Sequence, residues 1–178
     1  MSGRVVSLVE ARNHKEAAAS YGRWKQRLGH TPGHDERLAD LPDPVLAELA
    51  ELGHQATLAL YDVVLGVRGL GPGERYPHLE ARDKLEALDA FLFLVDQVRF
   101  ELMARLEWLE PTKVRRHSII DMAKNHRSIA ATEGQEPLRL TQSYPEYDQV
   151  RRRLEREPEA VVRSVIPQAL SAFKKQLA

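Results

Sequence analysis

No cysteine occurs anywhere in the 178 residues. Disulfides, thiolate zinc sites and cysteine nucleophiles are therefore excluded, and the composition suits a reducing compartment. Long apolar runs are also missing. The longest is Ala90–Val95, far short of the ~20 residues that cross a bilayer. Near the start, Arg4 is followed by a short apolar stretch that Glu10 and Arg12 interrupt, whereas a secretory core is longer. The expectation is a cytoplasmic protein with no signal peptide and no membrane partner. Net charge is absent too. The 26 Lys+Arg balance 26 Asp+Glu, so bulk charge draws the chain to neither nucleic acid nor anionic lipid. Strand-like alternation and fixed-period repeats are not found.

What remains is helical periodicity in a composition ordinary for a globular domain, 43% hydrophobic and 29% charged. The charges are unevenly placed. Residues 1–40 carry +2, residues 41–110 carry −7 and residues 111–178 carry +5. An acidic centre between basic ends can pair with itself inside one fold or across a dimer.

The expected fold is all-α: one domain over 1–178, with a core hairpin at 43–110 and a basic helical part at 111–178. Asn13 and Glu16 have capping-box spacing. Ala17, Tyr21, Trp24 and Leu28 then share one face, and Gly29 fits a helix stop. Asp43 and Pro44 open a first long helix. Its seam is Leu46, Leu49, Gly53, Ala56, Leu60, Val63 and Val67. "GLGPGERYP" breaks the chain as a turn. It does not follow a strand, so it is not read as a phosphate-cradling loop. A second long helix runs from about Leu79 to Glu110, with a seam of Leu85, Leu88, Leu92, Val95, Leu102, Leu106 and Leu109. Folded back on the first, it makes an antiparallel hairpin. Further helices are expected over 111–131, from a Ser143/Glu146 cap to Arg156, and from Pro158 onward with a bend at Pro167. "TEGQEPLRLTQ" between them is long enough to be a functional loop.

The second long helix carries acids among its apolar residues. Asp89, Phe93, Asp96, Phe100 and Met103 fall on one face, with Glu86 beside them. An ionised carboxylate taken out of water without a partner loses several kcal/mol, on the order of a full buried-ion penalty. These groups must pair, bind a cation, protonate or stay wet. Asp96 and Arg99, three apart, offer a local pair. The alternative is a divalent metal: magnesium prefers oxygen ligands and phosphate oxygens. Glu48 and Glu51 form an ExxE, and Glu86 and Asp89 an ExxD. With "EALDAFLFLVDQ" this pattern resembles the all-α NTP pyrophosphatases. That resemblance implies magnesium held by ExxE and ExxD helices against a nucleotide's phosphates. With the turn near Gly73, however, Glu51 falls level with Asp96, while Glu86 and Asp89 face Tyr61 and Leu58, near Asp62. The two motifs are then offset by about 10–13 Å along the rods. The candidate metal ligands are therefore Asp62, Glu86 and Asp89, or else Glu51 and Asp96.

Histidine patterns add little. His54 follows Glu51 at ExxH spacing, but no second ExxH completes a di-metal bundle. His30 and His34 flank Pro-Gly, and His117 with Asp121 has the spacing of an intrahelical pair. The 111–131 segment puts Lys113, Arg116, His117, Lys124 and Arg127 within one arc if it is a single helix. "RRRLER" adds Arg151, Arg152 and Arg153. Arg116, Lys124, Arg127 and Arg151–Arg153 are the candidate nucleic-acid contacts. The leading expectation is a protein acting by association, with itself or another protein, with no cofactor. Magnesium-dependent nucleotide hydrolysis and nucleic-acid binding are the alternatives.

Overall fold

The computed structural model describes residues 7–178, and among these the chain is an all-α helical bundle. The start of the apolar stretch after Arg4 lies outside them. Eight α-helices are formed: α1 Leu8–Tyr21, α2 Trp24–Leu28, α3 Asp43–Glu51, α4 His54–Gly66, α5 Ala81–Arg105, α6 Ile119–Thr132, α7 Tyr147–Arg156 and α8 Pro158–Leu177. None of them is long and apolar enough to cross a membrane.

The first helix begins at Ser7, six residues before the expected Asn13 cap. Ser7 Oγ accepts the Glu10 N–H and Glu10 accepts the Ser7 N–H. Nothing between the two capping boxes breaks a helix, so the earlier one sets the start. The chain bends at Gly22–Arg23, yet Tyr21, Trp24 and Leu28 all stay buried. The Trp24 indole N–H donates to the Ala59 carbonyl at 2.9 Å, tying α2 to α4. Gly29 ends α2 in the left-handed conformation, at φ 68°.

The first long helix is not continuous. It divides at Leu52, which adopts φ 61°, and Gly53, which opens α4 in an extended conformation. A left-handed leucine is unfavourable. Leu52 nevertheless packs against the core, and that burial offsets the backbone cost. The expected cap also shifts by one residue: Pro42 is the N-cap and Asp43 is already helical. Gly53 marks a helix start, and a β-carbon there would meet nothing within 4 Å. The close approach lies at Gly66, where a β-carbon would stand 2.7 Å from Ser20 Oγ on α1.

Helix α5 is shorter at both ends than expected. After Arg105 the Trp108 N–H reaches the Met103 carbonyl and the Glu107 N–H the Ala104 carbonyl. This is a Schellman closure with Glu107, at φ 61°, in the place usually held by glycine. Pro111 is not what stops the helix. Of the expected seam, Val95, Leu102, Leu106 and Leu109 are buried, but its first half is not the core face. Ala87, Ala90, Phe91, Leu94 and Val98 face the core, while Leu85 and Leu92 face solvent. The two alanines carry little weight in a hydrophobic pattern, but their small size lets neighbouring helices pack close.

Both α3 and α4 pack on α5. Arg105 pairs with Asp43, Arg99 donates to the Ala50 carbonyl, and the Phe91 ring stacks on Tyr61 at 4.2 Å. As α3–α4 ascends in number its partners on α5 descend. α8 lies across α3 and α5, and α6 packs on α5 and α4. Residues 113–116 form a short 3₁₀ turn rather than the start of a long helix, and Ser118 caps α6 by accepting the Asp121 N–H. Lys113, Arg116 and His117 thus leave the helical arc they were expected to share with Lys124 and Arg127. Helix α7 starts at Tyr147 with no side-chain cap from Ser143, and α8 runs on through Pro167.

Candidate functional site on the fifth helix

The acids proposed as metal ligands have separate partners. Asp62, on α4, is 2% exposed and belongs to a buried junction. It accepts from Arg27 Nε at 2.6 Å and from the Gly73 N–H at 2.7 Å. The carboxylate thereby fixes α2 and the 73–78 turn to α4. A β-carbon on Gly73 would stand 2.5 Å from the Leu58 carbonyl oxygen, so only glycine fits under that turn. Arg27 also reaches Glu74, whose pKa is held down mainly by that hydrogen bond.

Glu86 and Asp89 lie with Arg127 of α6, at 3.8 and 3.5 Å. Asp62 does not join them. Glu51 pairs with Lys174 of α8, and Asp96 with Arg163 of α8 through two hydrogen bonds of 2.7 Å. The local Asp96–Arg99 pair is not used. Among the described residues, no group of three or more His, Asp or Glu side chains is placed to hold a metal ion.

The basic candidates divide likewise. Arg116 and His117 both bind Glu133, and His117 also binds Asp121 at 2.7 Å. Glu133 is held below its ordinary pKa by these two bases, against the opposing effect of burial. Lys124 pairs with Glu16 of α1 at 2.9 Å, and Arg127 with the α5 acids. Arg151, Arg152 and Arg153 project from α7 into solvent. In the last third, Arg115, Lys124, Arg127, Arg163 and Lys174 pair with acids earlier in the chain.

Sequence reasoning passed over two arginine-bound features. Glu101 is buried near the C-terminal end of α5 and is held by Arg105 and Arg115. Arg68, in the turn after α4, lies half-buried beside His126 of α6, 3.5 Å away, with its pKa lowered by burial. The i,i+4 spacing of Glu101 and Arg105 was a readable signal for the first. Nothing in the local sequence signals the second.

The remaining face of α5 is the candidate site. From Ala81 to Arg105, the exposed positions are Ala81, Arg82, Leu85, Asp89 and Leu92. They form one stripe over the first three turns, at helical spacing of three and four. Leu85 is 67% exposed and Leu92 51%. The other large apolar side chains exposed to a similar degree, Leu8, Val9 and Leu177, lie near the ends of the described chain. Compared with known proteins, the chain matches no protein-family model, no curated protein and no solved structure.

Proposed function

We propose that this protein acts by association, and that two copies dock through the exposed stripe of α5. The observation that carries the reading is the pair Leu85 and Leu92, one heptad apart and solvent-facing on a helix otherwise wrapped by neighbours. Charge supports a second copy as the occupant. Arg82 and Asp89 are both exposed and lie seven residues apart on the same flank of the stripe. In an antiparallel two-fold pairing, like flanks meet. A pairing centred between Leu85 and Glu86 sets Arg82 of each copy level with Asp89 of the other. The mode is a helix–helix seam and requires no cofactor.

Magnitudes set the strength. Fully burying a leucine contributes roughly 1.5–3 kcal/mol; the two Leu85 side chains at the centre of the pairing supply on the order of 2–4 kcal/mol, while Leu92 of each copy reaches only the start of the partner's α5. Association itself costs about 4–15 kcal/mol. The dimer is therefore weak and concentration-dependent, with the ion pairs acting on register more than on affinity. The cysteine-free composition favours a cytoplasmic setting for it.

Mixing two charge variants tests the register. Arg82→Glu and Asp89→Lys each place like charges opposite one another in a homodimer and weaken it. Mixed in equal amounts, they restore both opposite-charge pairs and give a heterodimer. Equal association of both variants with themselves and with each other would refute the antiparallel pairing.

A further inference from the structure

A second feature of α5 lies further along the helix and does not depend on dimerisation. Phe93, Asp96, Gln97 and Phe100 form one wall of a cleft of about 390 Å³. The opposite walls are the 133–138 segment after α6 and the first turns of α8. Clefts that take small molecules span roughly 300–1,000 Å³, so this one has the capacity for a compact organic ligand. The face on which the sequence sets acids among phenylalanines is thus a cleft wall.

The chemistry of the lining selects the ligand. Phe93, Phe100 and Val114 supply an apolar and partly aromatic interior. Around them stand four carboxylates, Asp96, Glu133, Glu136 and Glu159, against the single guanidinium of Arg163. Two of the four are neutralised: Asp96 by Arg163, and Glu133 by Arg116 and His117 from outside. Among the described residues Glu136 accepts only a long hydrogen bond from the Lys113 backbone N–H, at 3.3 Å. Glu159 shares Arg163 with Asp96 and is largely exposed. Unneutralised negative charge therefore faces a low-dielectric aromatic surface, which focuses the field into the opening. Gln97 stands between the two rings on α5. Among the described residues its amide enters no side-chain hydrogen bond, and the residue lines the cleft with donor and acceptor both uncommitted.

The lip is also held in place. The Gly134 N–H closes on the Ile129 carbonyl, and beyond Leu138 the chain is pinned by Glu110 N–H to Arg139 and Thr141 N–H to Trp108 carbonyls. The walls are consequently formed before any ligand arrives, which lowers the ordering cost of binding.

We infer that this cleft binds an organic cation, an amine carried on an aromatic body, with the ring against Phe93 and Phe100 and the ammonium at Glu136 and Glu159. A charge near a ring face adds cation–π attraction, and Gln97 orients the ligand through its amide.

The test is an NMR titration of ¹⁵N-labelled protein with phenethylamine. Phenylethanol, 3-phenylpropionate and ethylamine serve as neutral, anionic and ringless counterparts. Phenethylamine is expected to give saturable shifts at the Gln97 side-chain amide and at Gly134, with at least about fivefold tighter binding than each counterpart. The double substitution Glu136→Gln/Glu159→Gln lies on exposed positions and leaves the fold intact, which an unchanged thermal midpoint verifies. It is expected to weaken phenethylamine binding to the level of phenylethanol. No saturable shift up to about 10 mM, equal binding of the alcohol and the amine, or full binding by the double variant each overturns the assignment.

Discussion

Helix α5 divides into two halves of similar apolar content and opposite environment. In its first three turns, Leu85 and Leu92 face water and only Ala87, Ala90 and Phe91 are buried. In its last turns, Val98, Phe100, Glu101, Leu102 and Met103 are all buried. The difference comes from the neighbours. The C-terminal half is enclosed on several sides, with α3, α8 and the 113–116 turn contributing. Hydrophobic pattern alone therefore specifies that a helix is to be covered, while the rest of the chain decides which part it covers and which it leaves exposed.

Mutations separate the halves most sharply through stability. Leu102→Ala removes a side chain only 1% exposed and is expected to lower unfolding free energy by about 2–5 kcal/mol. Leu85→Ala is expected to change it by less than about 0.5 kcal/mol. Urea unfolding of the two variants measures the contrast, and equal effects would remove it.

Glu101 and Asp89 make the same comparison among acids. Glu101 lies under Arg105 and Arg115, so Glu101→Ala leaves two guanidinium groups without their shared carboxylate. About 2–3 kcal/mol is the expected loss, below the value for a fully buried pair because Arg115 is partly exposed. Asp89, 60% exposed and 3.5 Å from Arg127, contributes little by the general behaviour of surface pairs. Parallel thermal melts of Glu101→Ala and Asp89→Ala decide it.

A smaller effect appears with pH at the edge of the exposed half. His126 is buried, its Nε2 has no partner among the described residues, and its ring lies 6.4 Å from Phe93. Burial, then Arg68 and Arg127, lower its pKa below the ordinary 6.5, and Asp89 opposes them only in part. The unfolded chain therefore takes up this proton first. The stability His126 contributes is complete above pH 6.5 and is lost as pH falls from there towards the lower folded value. Denaturant midpoints measured across this range should fall in the native protein, and His126→Phe should flatten that part of the curve.

Much of the fold was legible because its signals are local. The buried Tyr21, Trp24 and Leu28, the stop at Gly29, and the all-α class follow from periodicity and turn chemistry. Leu52 was not legible, since no local rule puts a leucine at positive φ. Its conformation is imposed by packing of Leu52 itself on the core. The first half of the α5 seam was misplaced, at Leu85 and Leu92, because Ala87 and Ala90 look unimportant until a neighbouring helix is in place. The sequence displayed the mixed acid–phenylalanine face of α5. It could not supply partners: Asp96 finds Arg163, sixty-seven positions away, in preference to nearby Arg99. Likewise Asp62 looks like a companion to Glu86 and Asp89 by level along the rods, but Arg27 and the Gly73 N–H claim it instead.

The most direct measurement is sedimentation equilibrium of the native protein beside a Leu85→Glu/Leu92→Glu variant, over concentrations from micromolar to about a millimolar. Association through α5 predicts a native mass that rises towards twice 20.2 kDa while the variant stays monomeric with an unchanged thermal midpoint. A native protein that remains monomeric throughout, or a variant that dimerises equally well, would contradict it.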